Sequence, residues 1–371
     1  MPNSRARLRQ ENHLKLGIFS ANCAGGLAIT NVPESWDASW ENNFALARMA
    51  DEAGIEFMLP VARWLGYGGV SGFQAHSLET ITWASGLLAA TSDLTVFSTV
   101  HTAFIHPVVL AKQGATIDQM SRGRWGLNIV CGWNKPEYDM MGLDLPDEKA
   151  ERYAYSQEWW DIVRRMWSEA APFDWTGPYF NLKGAFGAPK PFGGAVPPIL
   201  NAGSSPDGQD YAARNADFQF TTLNDLSDGP ALVAQTKARA QAAGRSAGVF
   251  TTCYVVCRPT RKEAEEYHIH YAQDCADQGA LEHWMLLSGL YSKRYPPEMV
   301  EKAKIRFAGG HGCYPLVGTP DDIVASLDQL AQAGFDGTTI AFVNYLDEFP
   351  YFRDEVLPRL EARGLRRKRG A

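Results

Sequence analysis

Short apolar runs return along this chain at a steady interval, separated by longer stretches with helical periodicity. Eight runs have the continuous, β-branched character of strands covered on both faces. They are LKLGIFS (14–20), EFMLPV (56–61), LTVFSTV (94–100), RWGLNIV (124–130), PPILNAG (197–203), FQFTTL (218–223), GVFTTCYVV (248–256) and GTTIAFVN (337–344). Seven of the eight lead into a helical stretch. That alternation predicts an α/β fold of the (β/α)8 TIM-barrel type, with a doubly wound sheet in two halves as the alternative topology.

The helices carry their own punctuation. Phe44, Ala47, Arg48 and Asp51 belong to one, Ser77 is expected to cap the stretch through Leu88, and Pro107 opens a helix carrying Leu110, Ala111 and Ile117. Thr319-Pro320-Asp321-Asp322 reads as a helix start, with threonine at the N-cap, proline at the first turn and acids beside the positive helix end. Glycines in AAGR (242–245) and QAGFDG (332–337) supply stops. The rhythm fails over 171–196, a Pro/Gly/aromatic stretch expected to form a hairpin-like excursion, and over 276–316, which adds helical material. Both are expected as loop insertions that commonly lid a site. The expected organisation is one barrel domain over 14–365, a flexible tail over 1–13 and a basic tail over 366–371.

Composition narrows the function classes. The 371 residues are 45% hydrophobic and 21% charged, ordinary for a globular chain. A net charge of −7 argues against a nucleic-acid partner, whose docking faces are usually basic. No run approaches the roughly 18 apolar residues of a membrane span, and polar residues from Pro2 to His13 leave no secretory core. Six cysteines in so long a chain do not make a disulfide framework. A cytoplasmic setting is expected, with neither nucleic acid nor membrane as a partner.

In a barrel, the C-terminal strand ends share one mouth, where active sites form. The second strand would bring Ala62, Arg63, Trp64 and Tyr67 there. The third brings Thr99, His101, Thr102 and His106; the fourth Asn128, Cys131, Trp133 and Glu137. The fifth adds Gly203, Ser204 and Ser205, and the last Asn344 and Tyr345. Aromatic rings and neutral hydrogen-bonding groups dominate, which suits a flat, partly apolar heterocycle better than a metal. The histidines and acids make no HExxH or comparable spacing, so no metal is expected, and there is no GxSxG elbow or GxGxxG turn after a strand. NAGSSPDGQDYAAR, from Asn201, ends a strand in Gly-Ser-Ser and opens a helix, an arrangement that suits an anion. Arg152 and Tyr153 could add a cation and a phenol.

These residues carry a resemblance. GRWGLNIVCGWNKPEYDMMG (123–142), LAKQGATIDQMSRGR (110–124), ERYAYSQEWW (151–160), ILNAGSS (199–205) and YPLVGTPDDI (314–323) resemble, in the same order, segments of the bacterial luciferase-like flavin-dependent monooxygenases. The nearest branch holds the pyrimidine and sulfone monooxygenases. The resemblance implies reduced FMN delivered by a separate NAD(P)H:flavin reductase, and a homodimer or homotetramer. It implies that Ala62 and Arg63 lie beside the isoalloxazine, that Asn128 meets its reactive edge, and that Glu137 is the motif's carboxylate. Arg152, Tyr153, Ser204 and Ser205 would contact phosphate and ribityl groups. Thr99 and Asn128 match a pair that brackets dioxygen near the flavin N5 atom. Trp133, with Trp64, would wall the site from water, and His101 or His106 would donate or accept a proton. The expected function is an FMN-dependent two-component monooxygenase acting through a flavin N5-peroxide on a small organic substrate such as a heterocyclic amide. A sulfone, sulfonate or dehalogenating oxygenase using a C4a-peroxide is the alternative in the same fold. A flavin-binding protein without turnover is the alternative of another class.

Overall fold

The computed structural model describes residue 8, residues 12–288 and residues 297–367. Eleven strands run in chain order: β1 (Lys15–Phe19), β2 (Phe57–Leu59), β3 (Thr95–His101), β4 (Trp125–Val130), β5 (Phe173–Thr176), β6 (Asn181–Ala185), β7 (Ile199–Asn201), β8 (Phe218–Phe220), β9 (Gly248–Cys257), β10 (Tyr314–Gly318) and β11 (Gly337–Ile340). The helices are α1 (Trp40–Glu52), α2 (Thr80–Ala90), α3 (Pro107–Met120), α4 (Lys135–Met140), α5 (Lys149–Ser168), α6 (Pro206–Asn215) and α7 (Gly229–Ala242). They continue with α8 (Arg261–Ile269), α9 (Gln278–Leu287), α10 (Pro297–Gly310), α11 (Pro320–Gln332), α12 (Tyr345–Glu355) and α13 (Leu357–Ala362).

Eight parallel strands close on themselves in the order β11-β1-β2-β3-β4-β7-β8-β9, with β9 returning to β11. All eight runs read from the sequence are these eight strands, and the fold is a TIM barrel rather than an open doubly wound sheet. β10 is additional: it pairs in parallel with the second half of β9, Cys253–Cys257, beyond the β9 residues that pair with β11. The YPLVG run was not among the eight because one short strand beside a strand already in the barrel has no period of its own.

Phenylalanines fill the lower barrel. Phe57, Phe97, Phe218, Phe220 and Phe250 cluster with Leu59, Leu200 and Leu8, and Phe57 stacks on Phe250 at 5.5 Å. Their bulk explains two strand glycines: a Cβ on Gly17 would lie 2.3 Å from the Phe57 ring, and one on Gly126 2.5 Å from Phe97. The barrel interior at this level is therefore a packed core, not a pore.

The helix starts are made by side chains. Thr319 and Asp322 form a reciprocal capping box at α11, as the sequence implied. At α2 the cap is Glu79, whose carboxylate accepts from Ile81 and Thr82 N–H, not Ser77. The Ser77 hydroxyl instead donates to the Arg63 carbonyl at 2.8 Å and ties the second strand's loop. The 171–196 excursion contains the antiparallel hairpin β5–β6, which Glu158 of α5 holds through Trp175 Nε1 and the N–H groups of Tyr179 and Phe180. It packs along α5. No helix among the described residues is long and apolar enough to cross a membrane.

The tail assignments meet a correction at the barrel floor. Arg366, expected in a solvated basic tail, is buried, and its guanidinium donates to Glu56 Oε2 at 2.7 Å and to the Gly54 carbonyl at 2.8 Å. Glu56 also accepts from Asn12 Nδ2 and Leu16 N–H, so a carboxylate at the base of β2 draws both ends of the chain against the barrel. Leu8, within the expected N-terminal tail, is buried among the phenylalanines. The rest of residues 1–11 and residues 368–371 lie outside the described residues.

Arg366→Ala leaves the Glu56 carboxylate buried without its cation, a change that typically costs about 3–5 kcal/mol. Urea unfolding should register a loss of that order. A loss below about 1 kcal/mol would mean that the pair behaves as a solvated one.

Candidate active site

At the mouth, a buried ion pair organises the loop that follows β2. Asn22 brackets Val61, donating to its carbonyl at 2.8 Å and accepting from its N–H at 2.9 Å. Two residues on, Arg63 donates through Nη1 to Glu137 Oε1 at 3.0 Å and through Nε to Gln74 Oε1 at 3.1 Å. Glu137 Oε1 also accepts the N–H groups of Trp64 and Leu65 at 2.8 and 3.3 Å. Both side chains of the pair are under 5% exposed, at 4% and 0%. The guanidinium carbon lies 4.8 Å from the Tyr67 ring centre and 5.4 Å from that of Trp133. Glu137 thus reaches the mouth through Arg63, with Oε2 left unpartnered.

Beside it, β3 and β4 run in register with Thr99 opposite Asn128. Asn128 Nδ2 donates to Thr99 Oγ1 at 3.1 Å, and Thr99 Oγ1 donates onward to the Pro60 carbonyl at 2.5 Å. The threonine proton is thereby committed, while Asn128 keeps one N–H free of both bonds and a buried Oδ1 without a partner. His101, two residues further on β3, stacks on Phe104 at 4.8 Å with its Nδ1 unpartnered. Burial, reinforced by the Arg63 charge, pushes its pKa down to about 3, so the ring is neutral. Ala62, Arg63, Trp64, Thr99, His101 and Phe104 line a cavity of about 420 Å³.

A second cavity, of about 310 Å³, lies between β4, β7 and the starts of α5 and α6. Gly203, Ser204 and Ser205 line one side, and Lys149, Arg152 and Tyr153 the other. Ser205 caps α6 by accepting from Gly208 N–H at 3.2 Å, and Asn201 Oδ1 holds the Gly203 N–H at 2.8 Å. The backbones of Gly203 and Gly208 pack so closely that a Cβ on Gly203 would lie 2.7 Å from Gly208 Cα. A helix N-terminus, two hydroxyls and two cations around a glycine-lined hollow fit a phosphate. The neutral, aromatic first cavity fits a tricyclic ring. On these observations the residues present suit FMN.

Most of the sequence-selected residues therefore gather in two adjacent cavities. Others do not. His106 caps α3 through Nδ1, accepting from Val108 N–H at 3.3 Å. Thr102 bonds Ser156 at 2.8 Å under the surface, Asn344 caps α12, and buried Tyr345 donates to the Phe19 carbonyl. Cys131 does line the second cavity, but burial pushes its thiol up to about 12, away from the reactive thiolate. Among the described residues no group of three His, Cys, Asp or Glu side chains could hold a metal. Sequence reasoning missed Lys149, Gln74, Trp284 and His311. Lys149 lies one helical turn before Arg152, a spacing that could have revealed it. The other three come from two loops and helix α9, distant in sequence from the strand ends, and have no local signal.

Comparison with known proteins follows from this geometry. A family model described as luciferase-like monooxygenase matches residues 14–337. Pyrimidine monooxygenase RutA of Enterobacter sp. (strain 638) is 30% identical over 359 residues, covering 94% of this chain and 97% of that protein. Among solved structures, the long-chain alkane monooxygenase LadA superposes with a TM-score of 0.83 at 19% identity, covering 96% of this chain and 93% of that one. Riboflavin lyase RcaE, solved with modified FMN and riboflavin, gives 0.81 at 21% identity, covering 95% and 92%.

The two neutral histidines make a pH prediction. His101 and His311 have folded pKa values of about 3, against the ordinary 6.5, because burial opposes their charge. The unfolded chain takes up these protons first, so their contribution to stability is full above pH 6.5 and is lost progressively as pH falls toward 3. Urea midpoints should drop between neutral and acidic buffer, and a His101→Gln/His311→Gln variant should drop less steeply. Equal slopes would place both imidazoles in water.

Proposed function

We propose, for a chain that belongs to the luciferase-like monooxygenase family, a two-component enzyme that brings reduced FMN and dioxygen to a small heterocyclic amide. That the chain is a flavin-dependent monooxygenase is the premise; the FMN, the reductase and the substrate class are the proposal. Similarity to pyrimidine monooxygenases along nearly the whole chain supports the substrate class. A separate NAD(P)H:flavin reductase and a dimeric or tetrameric assembly belong to the same reading.

Reduced FMN, when bound, supplies the electrons that activate dioxygen. The rest falls to the protein. Lys149, Arg152, Tyr153, Ser204 and Ser205 are the groups for the phosphate end. Ala62 and the fixed Arg63 side chain form part of the wall for the ring. The single observation that carries the reading is the Thr99–Asn128 pair. Oxygen reduced by one electron carries a charge that a fixed, neutral N–H can stabilise without surrendering its proton. Asn128 offers that N–H, and Thr99, whose own proton goes to Pro60, acts as its positioning residue. Trp133 and Trp64, both partly exposed at the rim, are placed to keep water from the reacting atoms. His101, held neutral, can donate a hydrogen bond from one ring nitrogen and accept one at the other.

Reduced FMN, labelled dioxygen and a panel of cyclic amides, read by mass spectrometry, test this function directly. Asn128→Ala should lower coupled product formation by about a hundredfold to a thousandfold, while reoxidation of the flavin continues. Thr99→Val should uncouple in the same direction and Thr99→Ser should restore most of the coupling. If both variants stay fully coupled, the pair has no part in handling oxygen. In a separate titration, Arg152→Ala and Ser205→Ala should each weaken FMN binding; unchanged affinity in both would move the phosphate elsewhere.

A further inference from the structure

Several buried polar atoms at the mouth are not used by that chemistry. The Tyr67 hydroxyl, the Trp284 indole N–H and His311 Nδ1 make no well-formed hydrogen bond among the described residues; the indole N–H lies near enough to the Tyr67 oxygen to oppose the rise in its pKa but does not close a bond of good geometry. They come from three places: the loop after β2, helix α9 and the turn that ends α10. Yet they form one cluster. The Trp284 and His311 rings meet edge-on at 4.8 Å, and the Tyr67 and His311 rings at 6.2 Å. Tyr67 is the residue over which Arg63 lies, so the cluster adjoins the buried ion pair.

Hydrogen bonds from the loop after β2 to α9 hold the cluster in place. Asp277, at the N-cap of α9, accepts from Ser71 N–H at 2.7 Å and from the Ser71 hydroxyl at 2.6 Å. His283 Nδ1 donates to the Tyr67 carbonyl at 2.9 Å. Gly69, at φ +75°, lets the loop press so close that a Cβ would lie 2.3 Å from Asp277 Oδ2. The loop carrying Tyr67 is thus latched to the helix carrying Trp284. A buried polar atom without a partner is destabilising, and a rigid cluster of three such atoms suits a ligand that completes them.

Their chemistry specifies the ligand. The indole N–H only donates, the phenol donates and accepts, and a neutral imidazole nitrogen can accept. We propose that Tyr67, Trp284 and His311 form the subsite that reads the polar edge of the substrate, a neutral cyclic amide or imide whose carbonyl accepts from Trp284 and Tyr67 and whose N–H donates to His311. The subsite rests on the oxygenase reading above and adds to it a choice between substrate classes. It presents no cation, because Arg63 is neutralised by Glu137 and burial pushes the His311 pKa down to about 3. It presents no anion either, since burial pushes the Tyr67 hydroxyl up to about 12. A sulfonate finds no counter-charge there.

Calorimetric titration of the holoenzyme carrying oxidised FMN tests this with three probes: uracil, 1,3-dimethyluracil and methanesulfonate. Uracil should bind, dimethyluracil should bind on the order of tenfold more weakly, and methanesulfonate should give no heat. Tyr67→Phe, which keeps the ring, and Trp284→Phe, which keeps an aromatic side chain without the N–H, should each weaken uracil by roughly tenfold with FMN affinity unchanged. Methanesulfonate binding as well as uracil, no binding of uracil, or unchanged uracil affinity in both variants would overturn the subsite. Turnover with reduced FMN separates the two readings. Oxygenated product from a sulfonate but from no amide removes the subsite and keeps the oxygenase. Uracil bound through these residues yet never oxygenated keeps the subsite and removes the proposed substrate reaction.

Discussion

The contact on which the mouth depends is the pair between Arg63 and Glu137. A guanidinium and a carboxylate, both all but withdrawn from solvent, are tolerable only when each satisfies the other and the remaining bonds are filled. Here Gln74 and two backbone N–H groups do most of the filling. The result fixes the course of the chain after β2 and cancels the strongest charge near the site. It also sets the electrostatic surroundings of four other side chains. Arg63 contributes to the depressed pKa values of His101 and His311 and opposes the raised values of Cys23 and Tyr67. A mouth built of neutral groups is therefore a consequence of one ion pair that is spent internally.

Beneath that pair, the barrel divides its length between two tasks. Phenylalanine rings, accommodated by glycines on β1 and β4, make the lower half solid. The same strands then change character within two or three residues, from Phe97 to Thr99 and from Gly126 to Asn128. Strand periodicity places alternate residues on the inner face, so this switch from ring to hydroxyl or amide decides how deep a ligand can sit. The carboxamide and hydroxyl sit in register on neighbouring barrel strands, rigid elements that fix a side chain's position better than a loop does.

Much of this was legible in the sequence, for reasons that differ by element. The eight barrel strands were visible because burial on both faces leaves a continuous apolar run. The residues of the second cavity were visible because they are nearly contiguous from Asn201 to Ser205, with Arg152 and Tyr153 at a single helix start. The apolar runs set Thr99 and Asn128 at the ends of neighbouring strands, whereas their pairing was implied only by the family resemblance; the register of β3 and β4 sets them opposite each other. What the sequence did not disclose was partnership across distance. Nothing near Glu137 signals that it binds Arg63, and nothing near Ser77 signals that it ties a loop instead of capping a helix. Arg366 looked like part of a charged tail because a run of basic residues carries no mark of the one that will be buried. Asp277, Trp284 and His311 belong to the insertion before β10, and their partners lie some two hundred residues earlier, in the loop after β2.

The length of β9 bears on how such a protein can diversify. Its first half is a stave of the barrel, while its second half continues upward as a template for β10. The segment between them, α8 to α10, is spliced in at a seam that already has its own hydrogen-bonded edge. Exchanging that segment would leave the barrel pairings from β11 round to β9 unchanged, so the stretch that carries Trp284 is structurally separable from the strands that carry Thr99 and Asn128.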